Sequence, residues 1–550
     1  MKNTFAARLP LLAVLILMVA LSATALHAQT YTDLYNLGSN PGDPANPAWI
    51  GLFAQGRDGN LYSTTTDGGM NLEGAVFQLT PSGTMTPLWN FDINNTLNSG
   101  AYPDSGLTLG IDGNFYGTTS AGGSVGAGTV FKITSSGKIT TLHSFNGCSE
   151  GTNVYAPVVQ GFDGNFYGVA SDGGCEVFGT VYKITPSGAL SVIYTFPGTS
   201  GISYPQAITL GTDGNFYGTS LGATGGYGAI FRITPQGKLT VLHTFTDFGQ
   251  SPKGMIIQAT DGNFYGTTQK GGIEGVGTIY KMTPAGVFTV LHNFSEGDAM
   301  GIFPLAGLVQ ATDGNFYGAT GSNYSSGLLF QITSSGTFTV LLNLTNTSGL
   351  YPGQNPQVAL FQHTNGTLYG DTYGGGPNLG GVLYSLGMNL RPFVSFVGPL
   401  FRGKVGQTIE ILGQGFTGTS KVSFHGTPAT FTVVSDTYLT AVVPAAATTG
   451  AVTVTTPGGT LTSNKIFRVA PAILSFSPTS GPIGTSVQIT GSGFTGATAV
   501  AFGGVRATTF TVNSSTQITA TVPTGAKSGQ IQVATPGGTA ASTTSFTVTP

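Results

Sequence analysis

The stretch Asp112-Gly-Asn-Phe-Tyr-Gly117 decides the fold, because the chain repeats it with few changes. The same six residues recur four more times, beginning at Asp163, Asp213, Asp261 and Asp313. Looser copies begin at Asp58 and Asn365, and successive copies stand 48 to 54 residues apart. A period of about 50 residues with strand-like content is typical of propeller blades. The repeat therefore predicts a ring of blades.

Each repeat contains four strand-like segments. In the copy around Asp112 they cover residues 106–111, 114–120, 129–134 and 139–145. Asp112-Gly113 predicts a tight turn between the first two, because glycine accepts the positive φ that such a turn requires. Ser136-Gly137 predicts a similar turn between the last two, whereas longer links join strands two and three and successive repeats. Four antiparallel strands per repeat, arranged radially, predict a β-propeller.

The N-terminal segment 31–37 resembles the fourth strand of a repeat, and the seventh repeat ends after residue 386 without a clear fourth strand. We therefore expect the N-terminal strand to complete the last blade, which removes exposed sheet edges. The prediction is a seven-bladed propeller over residues 29–390.

A different pattern follows the propeller. Gly413-Gln-Gly-Phe416 recurs as Gly491-Ser-Gly-Phe494, 78 residues later. Each unit of this second repeat is a run of short alternating strands, as in a small β-sandwich. The predicted fold class is all-β, with β-sandwich domains over residues 391–469 and 470–550 after the propeller.

Composition limits the classes of function. Charged residues make up 7% of the chain, the net charge is −3, and lysine and arginine form no cluster. Nucleic-acid binding depends on neutralising phosphates, so we expect no nucleic-acid partner. The 86 glycines, which follow no collagen-like period, indicate a turn-rich β protein.

The first 28 residues have the layout of a secretory signal peptide. Lys2 and Arg8 give a positive start, residues 11–21 form an apolar run, and small residues follow. The apolar run is shorter than the ~20 residues that a membrane helix needs. We therefore expect a protein exported to the periplasm or cell surface, with no membrane span in the mature chain.

Two family resemblances follow from these motifs. The string that joins Asp112–Gly117 to Thr129-Val-Phe-Lys-Ile-Thr134 and Leu142-His-Ser-Phe145 resembles the Gloeobacter/Verrucomicrobia (GloVer) tandem repeat. The C-terminal units resemble IPT/TIG domains through Ser477-Pro-Thr-Ser-Gly-Pro-Ile-Gly484 and Ile489-Thr-Gly-Ser-Gly-Phe494. The second resemblance implies an immunoglobulin-like fold for both sandwiches. Neither implies a known activity, and neither brings catalytic residues to carry over.

Local motifs for chemistry have simpler structural explanations. The repeated Asp-Gly-Asn offers fewer carboxylates than a calcium loop needs, so we interpret it as a turn. His143, His243 and His292 occupy one repeat position in different blades, too far apart for one metal ion, which favours packing. The glycine clusters precede strands, whereas a phosphate loop precedes a helix. We predict no catalytic set, no metal site and no cofactor.

An aromatic residue near a proline precedes the first strand of many repeats. These aromatics are the predicted ligand-binding residues: Tyr102, Tyr155, Tyr204, Phe303 and Tyr351. They would surround the mouth of the central channel on the long-link face, the face opposite the Asp-Gly turns. Carboxylates fall in the same class of loops, at Asp104, Glu150, Asp172, Glu176, Glu274, Glu296 and Asp298. The alternative is that the aromatic and the proline only fix the loop's entry into the blade.

Three functions remain open from the sequence. The first is a non-catalytic binding or adhesion protein with a carbohydrate or protein ligand on the long-link face, where variable loops lie on a rigid frame. The second is an extracellular hydrolase or lyase acting on a polysaccharide or lactone at the channel. The third is a structural envelope protein.

The chain has two cysteines, and we predict that Cys148 and Cys175 form a disulfide. Both fall in links on the same face of neighbouring blades, and an exported protein meets oxidising conditions. The bond would stabilise the fold by about 3 kcal/mol through loop entropy. Mass spectrometry after alkylation, with and without reductant, measures the pairing; two alkylatable thiols in the native protein would contradict it.

Overall fold

The computed structural model describes residues 29–47, 53–94, 99–173, 178–198, 201–223, 226–246, 250–295, 302–321, 326–345 and 352–550. Within these ranges the regular secondary structure is entirely β. None of the described residues belongs to a helix long and apolar enough to cross a membrane. The predicted signal peptide lies outside the described residues.

Seven sheets of similar build follow one another along the chain. In each, the first strand pairs with the strand that follows the Asp-Gly or Asn-Gly turn, and this first strand has two residues in every sheet except the fourth, where it covers Ser203–Leu210. The strands of sheets 1 to 4, in chain order within each sheet, are Ala54–Gln55, Leu61–Gly68, Ala75–Leu79 and Met85–Asn90; Thr108–Leu109, Phe115–Thr119, Thr129–Ile133 and Ile139–Ser144; Val159–Gln160, Phe166–Ala170, Thr180–Ile184 and Leu190–Thr195; and Ser203–Leu210, Phe216–Gly222, Ala229–Ile233 and Leu239–Thr244. Pro44–Pro47 also pairs with Leu61–Gly68 in sheet 1.

Sheets 5 to 7 continue the series and end with the N-terminal strand. Their strands are Ile257–Gln258, Phe264–Thr268, Thr278–Met282 and Phe288–Asn293; Val309–Gln310, Phe316–Gly321, Ser326–Ile332 and Phe338–Thr345; and Phe361–Gln362, Leu368–Asp371, Val382–Gly387 and Thr30–Asn36. Thr30–Asn36 is antiparallel to Val382–Gly387, with Tyr31 opposite Leu386, so the expectation that the N-terminal strand completes the last sheet is confirmed. The propeller-type all-β architecture is confirmed as well, whereas seven as the number of blades in one closed ring stays a prediction.

The repeated Asp forms a small hydrogen-bonded cluster with the residues that follow it. In the second copy, the backbone N–H of Asn114 donates to Asp112 Oδ1 at 3.1 Å, and the Asn114 side chain donates to Oδ2 at 2.7 Å. The hydroxyl of Tyr116 donates to the same Oδ2 at 2.8 Å. Burial raises the pKa of Asp112, but these hydrogen bonds leave it below its ordinary value. The Asp side chain is thus committed to the turn, as the turn interpretation expects.

The Tyr of the first five motifs packs on the Phe of the next copy. Tyr116 stacks on Phe166 with ring centroids 3.9 Å apart, and Tyr167 lies 4.2 Å from Phe216. Five consecutive pairs of this kind join sheets 1 to 6: Tyr62–Phe115, Tyr116–Phe166, Tyr167–Phe216, Tyr217–Phe264 and Tyr265–Phe316. The motif therefore holds the turn and joins neighbouring sheets with the same few residues.

The final glycine of the motif leaves room for an aromatic ring from the third strand. A Cβ on Gly117 would lie 2.5 Å from Phe131 Cζ, and one on Gly168 would lie 2.3 Å from the Tyr182 hydroxyl oxygen. Such distances are far below van der Waals contact, so glycine is needed for the packing of strand two against strand three.

The fourth-strand histidines pack against aromatic rings, as predicted. His243 stacks on Phe288 of the next sheet with centroids 4.0 Å apart, and His292 stacks on Phe338 at 3.9 Å. His143 instead contacts Glu150, with 2.9 Å between Nε2 and Oε2. Each histidine therefore has a local packing or pairing role.

Two sandwiches follow the seven sheets. The first has sheets of Ser395–Phe396, Thr408–Leu412, Tyr438–Val442 and Phe431–Ser435, and of Thr427–Ala429, Lys421–Phe424, Val452–Thr456 and Gly459–Thr462, beside the parallel pair Arg402–Gly403 and Arg468–Val469. The second has Ala472–Ser477, Ser486–Ser492, Gln517–Thr521 and Phe510–Ser514 facing Ser480–Gly481, Gly538–Val548, Gly529–Thr535, Ala499–Phe502 and Val505–Arg506. Each encloses its own apolar cluster.

The first sandwich docks on the face that carries the Asp-Gly turns. Arg57, next to the first turn, pairs with Glu410 at 2.5 Å, and the Thr437 hydroxyl donates to the Arg57 carbonyl at 2.7 Å. Phe162, beside the third turn, contacts Phe401 with centroids 5.5 Å apart. This docking covers part of the uniform face and leaves the long-link face uncovered by the first sandwich.

The Asp–Tyr hydrogen bond of the motif contributes to stability, and sheet 3 offers a matched comparison. Tyr167 donates to Asp163 Oδ2 at 2.8 Å, whereas the buried Tyr182 hydroxyl has no hydrogen-bond partner among the described residues. We expect Tyr167→Phe to lower the free energy of unfolding by about 1 kcal/mol, and Tyr182→Phe to leave it unchanged or raise it. Chemical denaturation of both variants measures this. Equal losses would contradict the assigned role of the Asp–Tyr bond.

Candidate functional site

One cavity on the long-link face is lined by residues from all seven repeats, and we call it the mouth pocket. Its volume is about 620 Å³, within the range typical of ligand sites. Its lining residues are Thr66, Asp67, Tyr102, Asp104, Ser120, Tyr155, Ser171, Asp172, Tyr204, Gln206, Leu221, Lys253, Leu305, Gln357 and Tyr373. All of them are buried or half-buried, so the pocket is concave.

The loop that enters each sheet has the same backbone conformation. One non-glycine residue per loop has φ between 53° and 56°: Asn46, Tyr102, Asn153, Tyr204, Ser251, Phe303 and Asn355. Proline follows in six of the seven loops, and Val154 follows Asn153. Positive φ is strained for such residues and persists only where the surroundings impose it.

Hydrogen bonds to two neighbouring sheets impose this conformation. The N–H of Tyr102 donates to the Glu73 carbonyl of sheet 1 at 2.9 Å, and its own carbonyl accepts from the N–H of Ser120 in sheet 2 at 3.0 Å. The N–H of Phe303 likewise donates to the Val276 carbonyl at 2.9 Å. The strained residue thus bridges adjacent sheets, which gives this part of the loop a structural role.

The residue two positions beyond the strained one faces the pocket. In the six described loops it is Asp104, Tyr155, Gln206, Lys253, Leu305 or Gln357, and each of these lines the cavity. The backbone is therefore constant while the side chain varies among five residue types, with glutamine occurring twice. A rigid frame that presents variable side chains into one cavity is the usual arrangement of a recognition site.

The structure brings together three of the five predicted ligand-binding residues. Tyr102, Tyr155 and Tyr204 line the mouth pocket, although Tyr155 lies two positions beyond the strained Asn153 and so corresponds to Asp104, not to Tyr102. Phe303 is not among the lining residues and packs against a buried apolar cluster. Tyr351 lies outside the described residues. Whether these residues bind a ligand stays a prediction.

Sequence reasoning did not single out Tyr373, the fourth tyrosine of the pocket. It lies just after the second strand of sheet 7, at the position that Ser120 and Ser171 occupy in sheets 2 and 3. The predicted ligand-binding aromatics lie before or at the start of a first strand, whereas Tyr373 follows a second strand. The signal that could have found Tyr373 is its register within the repeat.

Two carboxylates of the pocket are held by hydrogen bonds from neighbouring side chains. The Thr66 hydroxyl donates to Asp104 Oδ1 at 2.9 Å, and the Asn153 side chain donates to Asp172 Oδ2. Of the acidic loop residues noted in the sequence, Asp104 and Asp172 thus line the pocket, whereas Glu176, Glu296 and Asp298 lie outside the described residues.

The acidic side of the pocket has unusual titration properties. Burial raises the pKa of Asp104, and the nearby charge of Asp67 raises it further, against the hydrogen bonds from Ser120 and Thr66. Burial and the charges of Asp172 and Asp104 raise the pKa of Tyr155 to about 12. These groups therefore lie within electrostatic reach of one another.

Lys253 is the cation of the pocket lining and lies apart from these carboxylates. Burial lowers its pKa, and the nearby charge of Lys270 lowers it further, with no carboxylate contributing. Neither Lys253 nor Asp67, Asp104 or Asp172 forms an ion pair with any described residue. The pocket thus has an acidic side and a basic side that do not neutralise each other.

The remaining chemistry in the described ranges is sparse. No group of three or more His, Cys, Asp or Glu side chains there could hold a metal ion. A cavity of about 530 Å³ between the Asp-Gly face and the first sandwich is lined mainly by small polar residues and glycine, including Thr312, Gly314 and Ser463. Cys148 is disulfide-bonded, and Cys175 lies outside the described residues, so their pairing stays a prediction.

The fold and this pocket define a propeller-type protein with two immunoglobulin-like C-terminal domains. A family model described as the Gloeobacter/Verrucomicrobia repeat matches residues 21–181 and 155–384. The IPT/TIG domain matches residues 392–468 and 471–548. The chain belongs to the Gloeobacter/Verrucomicrobia repeat family and ends in two IPT/TIG domains, so both resemblances are confirmed. Among curated proteins, none matches this sequence.

Solved structures show only remote likeness. A putative 6-phosphogluconolactonase from Bacteroides fragilis is 17% identical with a TM-score of 0.41, covering 57% of this chain and 88% of its own. SGBP-B from a xyloglucan utilization locus in Bacteroides uniformis is 20% identical with a TM-score of 0.15, covering 28% of this chain and 48% of its own. At these TM-scores, neither likeness bears on what the mouth pocket binds.

Asp371 has a strongly raised carboxyl pKa, yet it does not line the pocket. It lies in the second strand of sheet 7 at the position of Thr64, Thr118 and Thr267. Burial raises its pKa from 3.8 to about 8, and its Oδ1 has no hydrogen-bond partner among the described residues. A strongly shifted group can mark a function, but this one is enclosed.

We expect Asp371→Thr, which introduces the residue found at this position in sheets 1, 2, 4 and 5, to stabilise the protein at neutral pH. The unfolded carboxyl ionises near its ordinary value, whereas the folded one keeps its proton to about pH 8. Wild-type stability therefore falls between these two values. The variant's advantage should be near zero at the lower value and grow to roughly 4 kcal/mol at neutral pH, since each pH unit between the two pKa values contributes about 1.4 kcal/mol. Unfolding measured across this pH range tests it; an advantage independent of pH would contradict it.

Proposed function

We propose that this protein is an exported, non-catalytic saccharide-binding protein whose ligand occupies the mouth pocket. The observation that carries the proposal is the lining of that pocket. Four half-buried tyrosines and several fixed polar groups surround about 620 Å³ of space. Tyrosine combines a large apolar ring with a hydroxyl that bonds to polar ligands, which suits the mixed surface of a sugar.

The polar lining is held in place before any ligand arrives. The Gln206 side chain donates to the Tyr204 carbonyl at 3.0 Å, and the Ser171 hydroxyl donates to the Pro205 carbonyl at 2.5 Å. Such groups lose little conformational freedom on binding, and this pre-organisation favours affinity. The layout of the N-terminal residues, typical of a signal peptide, supports an extracytoplasmic location where polysaccharides are available.

A second candidate function is a hydrolase or lyase acting on a polysaccharide or lactone in the same pocket. The observation that favours it is the convergence of Asp67, Asp104 and Asp172, with the pKa of Asp104 raised by burial and by Asp67. Glycoside hydrolysis uses two carboxylates, one of them with a raised pKa. Incubation with reducing-end-labelled oligosaccharides separates the two candidates, because product release supports the enzyme and unchanged bound ligand supports the binder.

A glycan and peptide array probed with the full exported chain tests the proposed function. We expect saccharide binding that Tyr155→Ala and Tyr204→Ala each weaken by at least about tenfold, since each removes a half-buried ring from the pocket. Met70→Ala is the matched control, because Met70 is 78% exposed and is not among the pocket's lining residues.

If the correctly folded protein binds none of the glycans on the array, saccharide binding is overturned. Binding that survives both tyrosine substitutions would place the ligand elsewhere and overturn the assignment of the mouth pocket. Thermal unfolding of each variant shows whether the fold is intact.

A further inference from the structure

We propose that the mouth pocket recognises a saccharide that carries a protonated amino group, bound on the side formed by sheets 1 to 3. This inference rests on the proposed function and specifies its ligand class. Asp67, Asp104 and Asp172 come from three consecutive sheets, and all three line the same cavity. Lys253 belongs to the loop that enters sheet 5. The negatively charged side chains and the positively charged Lys253 therefore lie on different sides of the pocket.

The three carboxylates have no cationic partner within the described ranges. None of them takes part in an ion pair there, and the charge of Asp67 acts unfavourably on Asp104. A ligand cation between them would relieve this repulsion and gain charge-assisted hydrogen bonds. The acidic side is thus complementary to positive charge.

A metal ion is a poorer match for this side than an organic cation. No group of three or more acidic, histidine or cysteine side chains in the described residues could hold a metal ion. Two of the carboxylates already accept hydrogen bonds from Thr66 and Asn153. An ammonium group needs no closed coordination shell, and tyrosine rings attract cations as well.

The rest of the lining favours an amino sugar over a lysine side chain. Beyond the carboxylates, the pocket presents Ser120, Ser171, Gln206 and Gln357, which can bond to hydroxyl groups. A lysine stem is apolar, so it would leave the remaining hydrogen-bonding capacity of these polar groups unused. A saccharide supplies hydroxyls throughout its length.

The test compares a glucosamine tetramer with an N-acetylglucosamine tetramer on the full chain by calorimetry at about pH 6, where an amine is protonated. The two ligands share a backbone and differ in charge. We expect the glucosamine tetramer to bind at least tenfold more tightly. Asp104→Asn and Asp172→Asn should each weaken its binding by about tenfold, because Asn keeps a hydrogen-bond acceptor but removes the charge.

Asp92→Asn is the matched control. Asp92 accepts a hydrogen bond from the N–H of Asn94 at 2.8 Å, is half-buried, and is not among the residues that line the pocket. It should leave binding unchanged. Asp104→Glu keeps the negative charge that Asp104→Asn removes, so it should bind more tightly than Asp104→Asn. This comparison separates loss of charge from damage to the fold.

The outcomes distinguish this inference from the proposed function. Equal binding of both tetramers, or full affinity in Asp104→Asn and Asp172→Asn, overturns the amine inference and leaves saccharide binding standing. Binding only to neutral glycans likewise overturns the amine inference and leaves saccharide binding standing. A lysine-rich peptide that binds in place of every saccharide overturns both.

Discussion

The contact on which the rest of the structure depends is the Asp–Tyr–Phe unit of the repeated motif. Asp112 fixes Asn114 and the Tyr116 hydroxyl, and the Tyr116 ring stacks on Phe166 of the next copy. Turn geometry and sheet-to-sheet packing are thus parts of one local arrangement. This explains why the motif is repeated with so little change: altering one residue disturbs both the turn and the neighbouring sheet.

The motif also determines how the two faces of the propeller-type region are used. The Asp-Gly face is uniform, and the first IPT/TIG sandwich docks on it through Arg57–Glu410 and Phe162–Phe401. Because the first sandwich is part of the same chain, it needs only one complementary surface on which to dock. The opposite face, where the links differ between copies, contains the mouth pocket. The same repeat therefore forms both the uniform Asp-Gly face and the variable long-link face.

The sequence predicted the architecture well because the repeat reports local interactions. The turn residues, the strand alternation and the N-terminal strand that resembles a fourth strand can each be recognised from a sequence window of about 50 residues. The pocket was only partly predictable, since its members come from different repeats and meet only when the sheets are arranged around it. Tyr155 was grouped with Tyr102 by resemblance of the local sequence, yet the strained residue of that loop is Asn153. Register within a repeat, more than residue type, identifies which side chains face the pocket.

The strained loop residue shows how one element can be structural and still serve recognition. Its backbone bridges two sheets, as the hydrogen bonds of Tyr102 to Glu73 and Ser120 show, so its conformation is fixed whatever its side chain. Two residues later the chain is free to vary, and it presents Asp104, Tyr155 and Lys253 in different copies. The loop that enters each of sheets 2 to 7 thus has a fixed backbone and also carries a variable residue that faces the pocket. Strain in the backbone is what keeps those residues aimed at one cavity.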